Sequence, residues 1–192
     1  MFRSVLIPGI ASLALVLAAM PAAAQSTAPE KVETIMPDEF LASLEGQWKG
    51  TCRTWFRPGK LSDESPVTGS FKAIIGGKFV RHTYAGSIKG RARTGDETLA
   101  FNPVRNVFQT SWIDDFHMNY AIMFSEGQAT PNGFKVTGQY DTGPGQPAWS
   151  WRTEYELMDP DHLTITAWNI SPEGAEARAV ETQYERIPTP AE

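Results

Sequence analysis

Leu44 to Phe56 reads LEGQWKGTCRTWF, and its alternation decides the fold. In an extended chain Trp48, Gly50, Cys52, Thr54 and Phe56 share one face, and Gln47, Lys49, Thr51, Arg53 and Trp55 share the other. The first set is apolar or small and is expected to point inward. Gly46 closes a short amphipathic segment, so the strand starts directly after a helix stop. That segment has Pro37 at an N1-like position, acids at Asp38 and Glu39, and apolar Phe40, Leu41 and Leu44.

The pattern continues outward as strands. Candidates are 47–56, 66–75, 78–86, 95–101, 107–114, 118–127, 133–140, 149–158, 162–170 and 177–186. They are separated by turn chemistry such as Arg57-Pro58-Gly59, Gly76-Gly77, Asn102-Pro103, Pro131-Asn132-Gly133 and Asp159-Pro160-Asp161. No long amphipathic helix interrupts them to cross between parallel strands. The fold expected is all-β: a single up-and-down antiparallel barrel of about ten strands after a short helical turn. An open sandwich is the second choice.

The N-terminus reads as an export leader. Arg3 precedes an apolar run from Val5 to Met20, Pro21 breaks it, and Ala22-Ala23-Ala24 offers a small-residue cleavage site before Gln25. The run is short against the roughly 20 residues of a membrane span, although an uncleaved anchor is the competing reading. The expected organisation is a signal peptide at 1–24, a flexible lead-in at 25–36, the barrel at 37–188 and a tail at 189–192. The expected location is periplasmic or secreted, with no membrane span once the leader is removed. The rest of the 192-residue chain is long enough for one domain with its own core. A formal charge of −5 without a basic run argues against a nucleic-acid partner. The single cysteine, Cys52, closes no internal disulfide.

Trp48 after Gly46, together with an inward-parity Arg186 on the last strand, resembles the lipocalin or calycin group. There the tryptophan closes the barrel floor and a terminal arginine packs over it. LEGQWKG, IIGGKFVRHTYAG, FQTSWIDDF, FSEG and ETQYERI resemble, in order and spacing, domain of unknown function 1579. That bacterial family often carries a signal peptide, and the resemblance spans nearly all of the mature chain. One departure is Phe101-Asn102, where the family more often has glycine-tyrosine-aspartate. The resemblance implies a lipocalin-like barrel and no particular activity. A looser resemblance is to nitrobindin-like haem barrels, which begin G-x-W-x-G-x-G; here Cys52 stands at the last glycine. Haem would need an inward histidine, for which His162 is the candidate. No cofactor and no metal is expected.

The chemistry-bearing residues are sparse. His82, His117 and His162 are far apart, and zinc needs three or four converging ligands. Asp114, Asp115 and His117 form a possible ligand set at a strand end, with a solvated loop as the plainer alternative, and His82 is the residue that a joint site would add. Cys52 has no activating base beside it and reads as a buried structural thiol. There is no G-x-S-x-G elbow for a serine hydrolase. Arg152, Glu154 and Glu156 alternate as on a wet outer face; the other choice puts Arg152 inside to bind a carboxylate. The ligand-binding candidates are Trp48, Cys52, Phe56, Phe71, Trp112, Asp114, Tyr120, Trp151, Arg152 and Arg186. The leading functional expectation is an exported barrel that binds a small, largely apolar ligand without catalysis. One alternative is an enzyme whose Asp114, His117, Arg152 and Glu154 converge at the barrel mouth. Another is an interaction module with a filled interior. Oligomeric state is not set by these features.

Overall fold

The computed structural model describes residues 36–118 and 120–189. The proposed leader, all of the lead-in except Met36, and the last three residues of the tail lie outside the described residues. One helix, α1 (Pro37–Ser43), precedes ten strands: β1 (Gly46–Thr54), β2 (Asp63–Ile74), β3 (Phe79–Ile88), β4 (Arg91–Asn102), β5 (Val107–Asp114), β6 (Met123–Thr130), β7 (Gly133–Tyr140), β8 (Trp149–Asp159), β9 (His162–Ile170) and β10 (Glu176–Ile187). Each strand pairs antiparallel with its sequence neighbours, and β1 pairs with β10 to close the barrel. Closure leaves no sheet edge unpaired. The sandwich alternative is thereby excluded. No helix among the described residues is long and apolar enough to cross a membrane.

The seam between β1 and β10 shows why the opening motif has its form. Trp48 lies directly opposite Arg186, and the Arg186 guanidinium sits 4.1 Å from the centre of the indole ring. The same guanidinium donates to three carbonyls: Ser43 at 2.7 Å, Glu45 at 2.6 Å and Pro160 at 2.9 Å. Trp48 Nε1 donates to Leu44 O at 2.9 Å. One cation therefore caps the C-terminal end of α1, ties it to the β8–β9 turn and covers the tryptophan. Gly46 makes this approach possible. Its φ of +140° disfavours other residues, and a Cβ there would fall 2.8 Å from Arg186 Nη1.

Above the seam the lower half of the barrel is filled with rings. Phe40 of α1 enters edge-on to Phe134 and Phe108, whose rings stack at 4.3 Å, and Tyr155 stacks on Phe134 at 4.4 Å. Trp48 meets Phe71 edge-on. Each of these buried side chains contributes roughly 2–3 kcal/mol relative to exposure.

Three expectations change locally. β6 starts at Met123, not at 118, because Asp114 Oδ1 accepts the backbone N–H groups of Phe116, His117 and Met118 and turns the chain out of the sheet. Tyr120 therefore lies in a loop with φ +74° and is fully exposed. β1 ends at Thr54, so strand parity no longer governs Phe56, which is half exposed. In β10 a bulge between Arg178 and Val180 buries both Ala179 and Val180.

Replacing Arg186 with Met should remove roughly 2–4 kcal/mol of stability, because three carbonyls lose a charged donor and Trp48 loses its cover. Denaturant unfolding would show a lowered midpoint at unchanged slope, with Arg186→Lys restoring only part. A loss below about 0.5 kcal/mol, the level of an ordinary surface substitution, would remove the seam from this role.

Candidate ligand-binding chamber

Register places polar groups in the upper barrel. Phe71, His82, Glu97 and Trp112 form one row across β2, β3, β4 and β5, and Gly69, Tyr84, Gly95 and Asp114 form the next. Tyr84 lies across Gly95, where a Cβ would sit 2.1 Å from its ring. His82, Tyr84, Glu97 and Trp112 of these rows, with Trp151, Thr182 and Tyr184 from β8 and β10, border a cavity of ≈ 60 Å³.

The chamber is electrostatically charged yet dry-walled. His82 stacks flat on Phe71 at 4.0 Å, and its Nδ1 lies 2.6 Å from Glu97 Oε2. Tyr155 donates to Glu97 Oε1 at 2.9 Å. A carboxylate accepts at Nδ1, so the neutral ring carries its proton there and Nε2 is left as an acceptor. Nε2 is buried and has no partner among the described residues. Arg93 is 4% exposed; its Nη2 lies 3.3 Å from Cys52 Sγ and its guanidinium 5.0 Å from the centre of the Tyr84 ring. Its Nε has no partner among the described residues. Burial, reinforced by the Glu97 charge, pushes the Tyr155 and Tyr184 hydroxyls well up, and burial does the same to Tyr84. All three stay neutral at physiological pH. Trp112 Nε1 donates to Tyr84 Oη at 2.9 Å, which fixes the indole at the chamber wall.

Loops at the upper end cover the chamber. His117 borders the cavity, and its Nδ1 lies 2.6 Å from Asp114 Oδ2. Its ring packs near those of Trp112 and Trp151, which stack on each other at 5.6 Å. Phe56 from the β1–β2 loop stacks on Phe116 from the β5–β6 loop at 6.3 Å. Lys89 sits over Phe56 and Arg91 over Phe116. For Asp114, burial works to raise the carboxyl, but the His117 hydrogen bond and charge and two backbone N–H groups outweigh it and hold the group below its ordinary value.

A family model described as "Protein of unknown function (DUF1579)" matches residues 33–186. This chain belongs to that family. The S-type phycobiliprotein lyase CPES from Guillardia theta has a similar fold, with TM-score 0.57, 15% identity, and 85% of this chain and 99% of that chain covered. Rv2717c from M. tuberculosis also aligns with TM-score 0.57, at 13% identity, covering 77% of this chain and 95% of that one. At such identities the likeness concerns the barrel alone. Among curated proteins, none matches the sequence.

The candidates read from the sequence divide by location in this DUF1579 barrel. Trp112 and Trp151 border the cavity, Cys52 touches Arg93, and Asp114 anchors the cap. Trp48 and Arg186 belong to the floor, and Phe71 lies between the two halves, edge-on to Trp48 and stacked on His82. Phe56 is in the cap, outside the barrel interior, and Tyr120 is on the surface. Arg152 lies on the outer face, paired with Glu154 and Glu176 and packed over Trp168. The four residues of the enzyme alternative therefore do not converge, because Arg152 and Glu154 face away from Asp114 and His117. His162 starts β9 at the opposite end, exposed and beside Asp159, so it is not the inward histidine. The inward histidine is His82.

Arg93, Glu97, Tyr84 and Tyr184 are not among the sequence candidates, and His82 enters there only as a possible addition to the Asp114, Asp115 and His117 set. A signal existed for Glu97, which shares strand parity with Leu99, and for His82, which shares it with Val80; Arg93 lies before the expected strand 95–101 and enters the sheet because β4 starts at Arg91. The larger concavity, ≈ 1100 Å³, lies along the outer wall between Thr68, Thr83, Thr94 and Ile113 and the loop that carries Tyr120 and Ile122. No group of acids, histidines and cysteines that could hold a metal ion occurs among the described residues.

Because the folded Asp114 carboxyl ionises below its unfolded value, its stabilisation is complete above about pH 4 and is lost as pH falls through the lowered folded value. Acid titration followed by the indole resonance of Trp112 should show the cap loosening in that window, and Asp114→Asn should abolish the step. Identical profiles for the two proteins would contradict the anchoring role.

Proposed function

We propose that this chain is an exported lipocalin-like barrel that binds a small, largely apolar ligand in the upper chamber, without covalent chemistry. The observation that carries the reading is the division of the interior. The lower half is packed ring against ring, whereas the upper half keeps a cavity walled by Trp112, Trp151, Ile165 and Val180 and bordered by buried polar atoms. Apolar walls with a few fixed polar groups are the usual make-up of a small-molecule site, and at ≈ 60 Å³ this one takes one end of a ligand until the loops above it move. The cover supports passage, since it consists of loop side chains stacked in pairs and not of paired strands. Export is supported by Arg3, the apolar run to Met20 and the alanines before Gln25.

Native mass spectrometry of the protein purified from the periplasm of its own host tests both parts. The expected spectrum shows a chain beginning at Gln25 together with a second species heavier by one small molecule, which denaturation removes. A chain that retains Met1 would overturn cleavage of the leader, and absence of the protein from the periplasmic fraction would overturn export. A ligand-free mass, combined with failure of every compound in a fragment screen to perturb the chamber indoles, would overturn binding.

A further inference from the structure

We infer that the chamber is selective for acids: its ligand carries a carboxylate that pairs with Arg93. This rests on the ligand-binding reading and adds the chemical class of the ligand. The argument begins with what Arg93 lacks. A guanidinium remains cationic in proteins, and one removed from water is unfavourable unless an anion compensates it. Arg93 is 4% exposed, and among the described residues no carboxylate lies within ion-pair distance of it.

The nearby acids are committed elsewhere. Glu97 gives one oxygen to His82 Nδ1 and the other to Tyr155 Oη. Asp114 is taken by His117 and three backbone N–H groups. Asp115 accepts from the backbone and hydroxyl of Thr94. Inside the barrel Arg93 has only the Cys52 sulfur, a weak acceptor, and the face of Tyr84. Its unpartnered Nε and the unpartnered Nε2 of His82 belong to two side chains that border the same cavity. The first calls for an acceptor from the ligand. The second suits a hydroxyl, which can both donate and accept.

Charge at the entrance points the same way. Lys89, Arg91 and Arg93 follow one another on the β3–β4 hairpin, and neither Lys89 nor Arg91 forms an ion pair among the described residues. Their side chains lie over Phe56 and Phe116, the stacked rings of the loops at the upper end of the barrel. Asp63 and Asp115 stand at the same rim, so what meets an entering anion is the two cations without ion pairs over the rings, and not a net positive charge. The cavity admits the carboxylate head, and a flat apolar body would follow it along the Trp112–Trp151 pair once the Phe56–Phe116 stack opens.

Titration calorimetry with sodium benzoate and with benzyl alcohol, its uncharged counterpart, tests this on the mature protein. Benzoate is expected to bind and benzyl alcohol to bind at least about tenfold more weakly; Arg93→Met is expected to lower benzoate affinity at least about tenfold, with Arg93→Lys in between. Thermal unfolding without ligand gives a second readout. Burial works against the Arg93 cation, but Tyr84, Cys52 and the Asp114 charge outweigh it; with no ion pair among the described residues to lose, Arg93→Met should be about as stable as the parent, whereas an arginine kept for structure would leave the variant clearly less stable. Equal affinity for the two compounds overturns acid selection and leaves the ligand-binding reading standing. Binding of neither, with the chamber indoles unperturbed, overturns both. A variant that unfolds at lower temperature and binds benzoate normally assigns Arg93 to structure.

Discussion

Arg186 lying flat on Trp48 is the contact on which the rest of this barrel depends. Ten antiparallel strands form a cylinder only if the last finds the first, and here the closing pair places these two side chains opposite each other. The guanidinium also binds the carbonyls at the end of α1, so closing the sheet and plugging its lower end are one event. Loop-closure entropy makes this pairing late and costly, since it joins residues from opposite ends of the domain. A planar, permanently charged group with several donors suits that task better than an ammonium.

A plugged floor determines where function can reside. Phe40, Phe108, Phe134 and Tyr155 occupy the lower interior and leave no polar atom in need of a partner there except the Tyr155 hydroxyl, which reaches up to Glu97. Charge is therefore concentrated one layer higher, where His82, Glu97 and Arg93 occupy buried inward positions. The floor is built for closure. The chamber above it keeps features that packing alone would have removed.

Strand number, closure, the Trp48–Arg186 pair and most strand ends were legible because alternation and turn residues act locally. Two misplacements arose where alternation stops governing the chain, one at a side-chain capture of the backbone and one at a strand end. Asp114 captured three consecutive N–H groups and converted the expected start of β6 into a loop, carrying Tyr120 outward. Phe56 kept the right spacing beyond the end of its strand. The polar chamber was harder to read. Arg93 and Glu97 occupy inward positions on β4, but charged residues in the run RARTGDET look like a solvated face until the register with β3 and β5 is known. Conversely, Arg152 on β8 lies outside, stacked on Trp168, although its neighbour Trp151 reaches the chamber.

The central claim is that ligand occupies the upper half of a barrel whose lower half is closed by the seam. Indole N–H resonances report the two halves separately: Trp48 is bonded to the carbonyl of Leu44 in the floor, and Trp112 to the hydroxyl of Tyr84 in the chamber wall. Titrating a bound small molecule into labelled protein should shift the Trp112 and Trp151 resonances progressively and leave Trp48 in place. Movement of Trp48 with the chamber indoles unchanged would contradict this account.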